Sequence, residues 1–187
     1  SPRFLYFTEN TGKLDDFSIA SRLSYFLWNT MPDQKLLTLA KKDNLSKPSV
    51  IKKQVERMLN HSKAESFVKN FSDNWLNLKD IDFTSPDTKL YPEFDDILKN
   101  SMLGETFTFM QELIDENLSV SNFIDSDFAM LNERLAKHYG IEGFSGTGFQ
   151  KTALKANDHR GGVITHGSVL KVSANGTTTS PVIRGVW

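Results

Sequence analysis

The sequence predicts an all-α protein: an irregular multi-helix bundle with a small mixed or irregular C-terminal segment. Apolar residues recur at helical spacing through most of the first 141 residues, and helix-capping residues stand between those stretches. From residue 142 onward glycines become frequent and the helical spacing is lost. We therefore expect a helical domain at residues 1–150 and the truncated start of a second small domain at residues 151–187.

Four helices are predicted in the N-terminal part of the chain. The first covers about Asp16–Trp28, and Asp33 is suited to cap a short second helix. Ser46 is expected to cap the third, with Pro48 in its first turn. Ser62–Glu65 has the spacing of a capping box. The helix after it is expected to bury Ala64, Val68, Phe71, Trp75 and Leu78.

The longest helix is predicted after a polar loop at Lys79–Tyr91, over about residues 92–116. Both of its flanks are apolar, which is typical of the central helix of a bundle. A further helix is expected within Asp125–Ile141, and Gly140 suits the left-handed position that ends it. The apolar face predicted for this helix is Leu131, Leu135 and Tyr139.

The C-terminal segment is predicted to be irregular. Phe149–Leu154 has the composition of a short strand, and Arg160-Gly161-Gly162 is expected to form a tight turn. That turn has two interpretations. In the first, its backbone N–H groups bind an anion. In the second, which we favour, it is a structural turn held by contacts between the arginine and carbonyl groups. Ser180 and Pro181 fit the cap and first residue of a last helix.

Composition and charge exclude several classes of function. The formal net charge is −1 and basic residues alternate with acidic ones, so there is no basic stripe for nucleic acid. The chain contains no cysteine, which excludes disulfides, thiolate metal sites and covalent attachment of c-type haem within it. Because no apolar run is long enough, we also expect no membrane span.

Acidic clusters and histidines are the candidate metal ligands. Asp125 begins a possible calcium loop, but Ala129, Met130 and Ala136 occupy positions where that loop needs an oxygen ligand, glycine and glutamate. No two of the four histidines have the i, i+4 spacing of a helical zinc site. We expect His138 to lie near a helix C-terminus, and His159 and His166 to lie at the surface. We also expect no cofactor in this chain.

Four runs of residues resemble one family. They are Ser1–Tyr6, then Leu14–Asp33, then Leu131–Ile141, and last His159–Gly162 together with Thr179–Gly185. These runs resemble large multidomain proteins abundant in planctomycetes and related bacteria, in which several domains of unknown function follow a cytochrome-c-like domain.

The resemblance implies a setting rather than a reaction. Proteins of this family are similar to exported proteins, so it implies an extracytoplasmic location, periplasmic or at the cell surface. It also implies that c-type haem lies in a separate cytochrome-c-like domain, and that the partners of this chain are other domains of its own parent protein.

We therefore expect a non-catalytic scaffold or interaction domain of unassigned molecular function. The alternative is an enzymatic domain, cofactor-free or metal-dependent, whose pocket is built around Glu133, Arg134 and His138 and completed by Arg160 or His166. Glu133 would then act as a general base, and an arginine would hold an anionic or carbonyl substrate. In a scaffold, Glu133 and Arg134 should instead bind backbone groups or each other.

A third class, a carbohydrate-binding module, requires exposed aromatic rings. The exposure of the three tryptophans, Trp28, Trp75 and Trp187, tests this class. Trp28 and Trp75 are predicted to be buried within helices.

Overall fold

The computed structural model of the protein describes residues 12–155 and 158–186, so the run Ser1–Tyr6 lies outside it. Within the described residues the chain is mostly helical, with one two-stranded sheet. The predicted all-α class with a small mixed segment is therefore confirmed. The chain divides into two compact units, Ser1–Phe67 and Val68–Trp187. The domain boundary near residue 150 stays a prediction.

Residues 12–67, the described part of the first unit, contain three complete helices around one apolar cluster. Helix α1 is Asp16–Trp28, α2 is Gln34–Lys41 and α3 is Pro48–Leu59, while α4, Glu65–Trp75, continues into the second unit. The first prediction, a helix at Asp16–Trp28, is confirmed. The buried residues of this cluster are Ala20, Leu27, Trp28, Leu36, Ala40, Leu45 and Met58.

The helix caps of the first unit agree with the sequence in one case and differ in another. Asp33 caps α2 as predicted. The predicted cap Ser46 is wrong: Lys47 precedes α3 and makes no side-chain capping bond. The Ser46 N–H instead donates to Asp16 Oδ1 at 3.1 Å, and Leu45 N–H donates to Asp16 Oδ2 at 2.6 Å. Asp16 thus satisfies two backbone donors that the loop would otherwise leave without partners.

The start of α4 also differs from the prediction. Ser62–Ala64 forms a 3-10 turn, and His61 caps it because its Nδ1 accepts the Lys63 N–H at 3.1 Å. The predicted cap at Ser62 is therefore wrong. Along α4 the expected apolar face is only partly covered, since Phe71 is 37% and Trp75 46% exposed.

The other elements of the described residues lie in the second unit. They are α5 at Asp96–Asp115, β1 at Phe128–Leu131, α6 at Glu133–Tyr139, β2 at Gln150–Ala153, α7 at Gly167–Val172 and α8 at Pro181–Gly185, with 3-10 turns at Leu78–Asp80, Val120–Phe123 and Val163–Thr165. Helix α5 packs against β1, α6 and α7. It begins at Asp96 rather than residue 92, because Asp95 is its cap and accepts the Leu98 N–H at 2.6 Å.

A short antiparallel sheet replaces the first part of the helix predicted within Asp125–Ile141. Leu131 is the last residue of β1 and pairs with Gln150 of β2, so its predicted place on the helix is wrong. Strand β2 lies within the predicted strand Phe149–Leu154, which is confirmed. The helical part, α6, starts after the cap Asn132 and ends at Gly140 with φ +72°. The predicted left-handed end is therefore confirmed.

None of the helices within residues 12–155 and 158–186 has both the length and the apolar composition that crossing a bilayer requires.

Candidate functional site

A cavity of about 270 Å³ lies in the second unit. Its walls come from the loop before α5, from α5 itself, from the end of α6, and from the segment between residues 160 and 179. Two of the residues proposed from sequence, His138 and Arg160, line this cavity. The remaining lining residues are Pro86, Tyr91, Glu93, Phe94, Met102, Tyr139, Gly167, Leu170, Lys171, Ala174, Gly176, Thr178 and Thr179.

A buried carboxyl group lies behind this cavity. Glu105 of α5 is 1% exposed, and its Oε2 accepts hydrogen bonds from Tyr139 Oη at 2.7 Å and from Gly167 N–H at 3.1 Å. Burial raises the pKa of Glu105 to about 7, although both hydrogen bonds and the nearby Arg160 oppose that shift. The charge of this carboxyl group therefore changes near neutral pH.

Tyr139 connects the buried carboxyl group to the cavity wall. Burial and the neighbouring Glu105 raise the pKa of Tyr139, so its hydroxyl stays protonated and donates to Glu105. The guanidinium carbon of Arg160 lies 3.2 Å from the centre of the tyrosine ring, a cation–π contact. A carboxyl group, a phenol and an arginine are thus layered from the interior toward the cavity.

The turn that carries Arg160 is the structural turn favoured by the sequence. Arg160 Nη1 donates to the Thr165 carbonyl at 2.9 Å, and Gly161 N–H donates to Thr165 Oγ1 at 3.1 Å. Gly162 has φ +70° and ψ 172°, a backbone conformation that is essentially confined to glycine. The arginine–carbonyl interpretation is confirmed.

His138 lines the cavity from the last turn of α6. Its Nδ1 is 3.9 Å from Glu93 Oε1. Burial lowers the pKa of His138, and this outweighs the opposing effect of Glu93. Its predicted position near a helix C-terminus is confirmed, because α6 ends one residue later.

Glu133 and Arg134 are not among the residues that line the cavity. Glu133 Oε2 accepts the Gly146 N–H at 2.6 Å, and Glu133 N–H donates to the Gly146 carbonyl at 3.2 Å. Arg134 Nη2 donates to the Glu93 carbonyl and lies 3.3 Å from Asp95 Oδ2. Both side chains thus bind neighbouring loops.

His166 is 3% exposed, so its predicted place at the surface is wrong. Its Nδ1 lies 2.9 Å from Thr106 Oγ1, which in turn lies 2.8 Å from Ser168 Oγ. The ring also meets Phe109 edge to face, with 4.9 Å between the ring centres. Burial lowers the pKa of His166 to about 3, so it is neutral at physiological pH. His159, by contrast, is exposed as predicted.

A second cavity, of about 410 Å³, shares four residues with the first: Pro86, Tyr91, Phe94 and Lys171. Lys171 Nζ donates to the Ile81 carbonyl at 2.7 Å and also to the Thr84 carbonyl. This ammonium group therefore fixes the loop that separates α4 from α5. Burial lowers the pKa of Lys171.

The sequence analysis did not assign Glu105, Tyr139 or Lys171 to the site; Tyr139 was predicted only as part of an apolar helix face. Glu105 had a detectable signal: it falls on the same helical stripe as Leu98, Met102 and Phe109, where a carboxylate is out of place. Lys171 had none, because its oxygen partners lie about 90 residues away along the chain.

The described residues contain no group of three or more His, Cys, Asp or Glu side chains that converges on a possible metal position. Trp28 is 4% exposed, as predicted, but the predicted burial of Trp75 is wrong. Its ring packs edge-on against Phe123, with 5.0 Å between ring centres. Trp187 lies outside the described residues.

Fold and site together define a mostly helical domain with a small cavity backed by a buried carboxyl group. The sequence pattern of PSD4, described as a protein of unknown function (DUF1592), matches residues 14–141, and the chain belongs to that family. No curated protein and no solved structure matches the chain significantly. The family match includes His138 and Tyr139 but ends before Arg160, so the cavity also draws on residues beyond it.

Proposed function

We propose that this chain is a non-catalytic scaffold and interaction domain of an exported, cytochrome-c-linked multidomain bacterial protein. The observation that carries the proposal is the pairing of Glu133 and Arg134 with backbone groups. Glu133 binds Gly146 through both its side chain and its N–H, and Arg134 binds the Glu93 carbonyl. Charged side chains used in this way hold loops in place.

The remaining parts of the proposal come from the family resemblance. Haem of the c type would lie in a cytochrome-c-like domain elsewhere in the parent protein, and this chain would contact that domain or its neighbours. The parent would be periplasmic or displayed at the cell surface. The location is tested by adding a protease to intact cells and then detecting this domain. If the domain stays undigested even in cells whose outer envelope has been made permeable, the extracytoplasmic location is wrong.

The scaffold role is tested by the cofactor content of the purified chain. We expect no stoichiometric metal, no visible absorption band, and no saturable change on titration with haem. A stoichiometric metal, or a haem band that His138→Ala or His166→Asn abolishes while the protein remains folded, would overturn the proposal. The conservative change is used at His166 because its ring is buried.

A second candidate function is enzymatic, and the placement of His138 and Arg160 in one cavity favours it. The acid–base group would then be His138, rather than Glu133, and Arg160 would hold the substrate. In its metal-dependent form, this alternative predicts that the purified chain retains a metal that the His138→Ala variant loses. The same metal analysis therefore separates that form from a scaffold.

A further inference from the structure

The cavity beside Arg160 is a preformed space. The loop before α5 and the loop after α7 are tied together by the Asp87 N–H, which donates to the Gly176 carbonyl at 2.9 Å, and by Tyr91 Oη, which donates to the Thr177 carbonyl at 3.1 Å. Gly176 has φ +94°, and a side chain there would collide with the Ser85 carbonyl. These ties hold the two walls at a fixed separation, and a preformed site binds with a smaller entropic cost.

Most of the cavity wall is apolar, which suits a compact hydrocarbon body. At about 270 Å³ the cavity lies just below the range of about 300–1,000 Å³ typical of sites for drug-sized ligands. It therefore suits a molecule built on a single ring or a short branched chain. The apolar groups that face it come from Pro86, Tyr91, Phe94, Met102, Leu170 and Ala174.

The polar groups of the wall favour a single negative charge. Arg160 carries a permanent positive charge, and its contact with Thr165 occupies one of its five N–H donors. The Lys171 ammonium adds a second positive charge, although it is bound to backbone carbonyls. The opposing carboxylate in the lining, Glu93, has a side chain that is 47% exposed and is partly solvated by water. The Thr179 hydroxyl oxygen accepts from Arg184 and so keeps its proton for a ligand, whereas the Thr178 hydroxyl already donates to Asn175 Oδ1 at 3.3 Å.

We propose that this cavity binds a small organic carboxylate, with the hydrocarbon body against Phe94 and Leu170 and the carboxylate on Arg160. A planar guanidinium group matches a carboxylate in shape and charge. With Lys171 bound to carbonyls and Glu93 opposing it, the wall offers about one net positive charge, which suits a monoanion better than the double charge of a phosphate monoester. This ligand site is independent of the scaffold role, because a scaffold domain can also hold a small molecule.

The proposal is tested by calorimetric titration of the whole chain with three carboxylates: benzoate, cyclohexanecarboxylate and 3-methylbutanoate. Each is compared with its neutral amide, and benzoate also with the cation benzylamine. We expect at least one carboxylate to bind about tenfold or more tightly than its amide. If none of the three carboxylates binds, or if the amides and benzylamine bind as tightly, the proposal is wrong.

Variants locate the binding. Arg160→Gln should abolish the preference for carboxylate over amide, and Ala174→Leu should abolish binding of both by filling the cavity. Lys137→Gln is the control, because it removes one exposed positive charge from α6 outside the cavity. If Lys137→Gln lost the carboxylate preference to the same extent, or if Ala174→Leu still bound the carboxylates fully, binding would not occur in this cavity. Arg160→Lys, which keeps the charge but loses the planar fork, replaces Arg160→Gln if that variant fails to fold.

The outcome can be separated from the scaffold test. A metal or haem bound to this chain would overturn the scaffold role, but it would not produce a carboxylate preference that depends on Arg160. Conversely, a failure of all carboxylates to bind leaves the contacts of Glu133 and Arg134 unaffected.

Discussion

Tyr139 Oη donates a 2.7 Å hydrogen bond to Glu105 Oε2, although the carboxyl group is only 1% exposed. The Gly167 N–H donates to the same oxygen at 3.1 Å, so three elements, α5, α6 and α7, meet at one atom. Gly167 permits this approach, because a side chain there would meet Tyr139 Oη at 2.8 Å. The second unit thus joins its helices through a polar contact as well as through its apolar clusters.

Glu105 should make stability fall as pH rises. The pKa of Glu105 is raised from its ordinary value of 4.5 to about 7 in the folded protein. Between these values the unfolded chain has already lost the proton that the folded chain keeps, so unfolding becomes easier as pH increases. We expect Glu105→Gln to gain about 3 kcal/mol relative to wild type between pH 5 and pH 8, measured by urea unfolding.

The control for that experiment is Glu112→Gln on the same helix. Glu112 accepts a hydrogen bond from Lys151 at 2.8 Å near the surface, and such pairs are worth about 0–1 kcal/mol. Its effect should be nearly the same at both pH values. A difference between Glu105→Gln and wild type that does not change with pH would contradict the role assigned to Glu105.

His166 should make stability fall as pH decreases, which is opposite to the effect of Glu105. The pKa of His166 is lowered from its ordinary value of 6.5 to about 3, so below pH 6.5 the unfolded chain binds a proton that the folded chain does not. The contribution of His166 to the free energy of unfolding of the wild-type protein therefore falls as the pH is lowered. His166→Asn should be less stable at pH 7, because it loses the contact with Phe109, but the gap should narrow by about 2 kcal/mol at pH 5.

Urea unfolding of both proteins at pH 7 and pH 5 measures this gap, and the contribution of Glu105 cancels because both proteins contain it. His159→Asn serves as the control, since His159 is exposed. A gap that stays constant or widens at pH 5 would mean that the histidine is not held neutral by burial.

The sequence predicted well those elements whose signals are local. The end of α6 is an example: Gly140 adopts φ +72° and the Ile141 N–H donates to the Ala136 carbonyl at 2.9 Å, which is the arrangement expected when an apolar residue follows a left-handed glycine. The Arg160 turn is another, because the side chain and its carbonyl partner, on Thr165, are five residues apart. Such contacts depend on neighbours along the chain.

The features that the sequence did not reveal depend on distant partners. Leu131 belongs to a four-residue apolar strand that pairs with residues about 20 positions away, and so short a run does not distinguish a strand from a helix. Periodicity placed Trp75 on the apolar face of α4, but the extent to which a face is covered depends on tertiary neighbours. His166 is buried because Thr106, 60 residues earlier, supplies a polar partner.

Asp16 should be important to the first unit. Both of its carboxylate oxygens accept backbone N–H groups, from Leu45 at 2.6 Å and from Ser46 at 3.1 Å. Asp16→Ala leaves these donors without acceptors and should lower the free energy of unfolding by about 2–3 kcal/mol. Asp15→Ala, which removes an exposed helix cap, should cost clearly less in the same urea titration. Equal costs would show that the loop at residues 45–46 does not depend on Asp16.

Gly162 and Gly140 form a matched pair, because both have positive φ but only one is crowded. A Cβ atom at Gly162 would lie 2.5 Å from the carbonyl oxygens of Phe123 and Ile124, whereas one at Gly140 would meet nothing within 4 Å. Gly140→Ala should therefore cost about 1–2 kcal/mol for the backbone alone. Gly162→Ala should cost about 3 kcal/mol or more, as measured by thermal and urea unfolding. Similar losses in the two variants would contradict the close approach of the Arg160 turn to residues 123–124.

Lys171 should stabilise the loop between α4 and α5. Its ammonium group binds the carbonyls of Ile81 and Thr84, and methionine at this position keeps the length of the side chain but removes the donors. Lys171→Met should lower the free energy of unfolding by about 2–3 kcal/mol. Hydrogen exchange of the Asp87 N–H should also become faster, because its bond to Gly176 belongs to the same loop contact.

Lys99→Met is the control for Lys171→Met. The Lys99 ammonium binds Asp82 at 2.8 Å and Asp96 at 3.0 Å, and both carboxylates are largely exposed. Surface pairs of this kind contribute about 0–1 kcal/mol, so this variant should lose little stability and leave exchange at Asp87 unchanged. If the two variants lost equal stability, or if exchange at Asp87 stayed slow in Lys171→Met, the loop would be held by its backbone contacts alone.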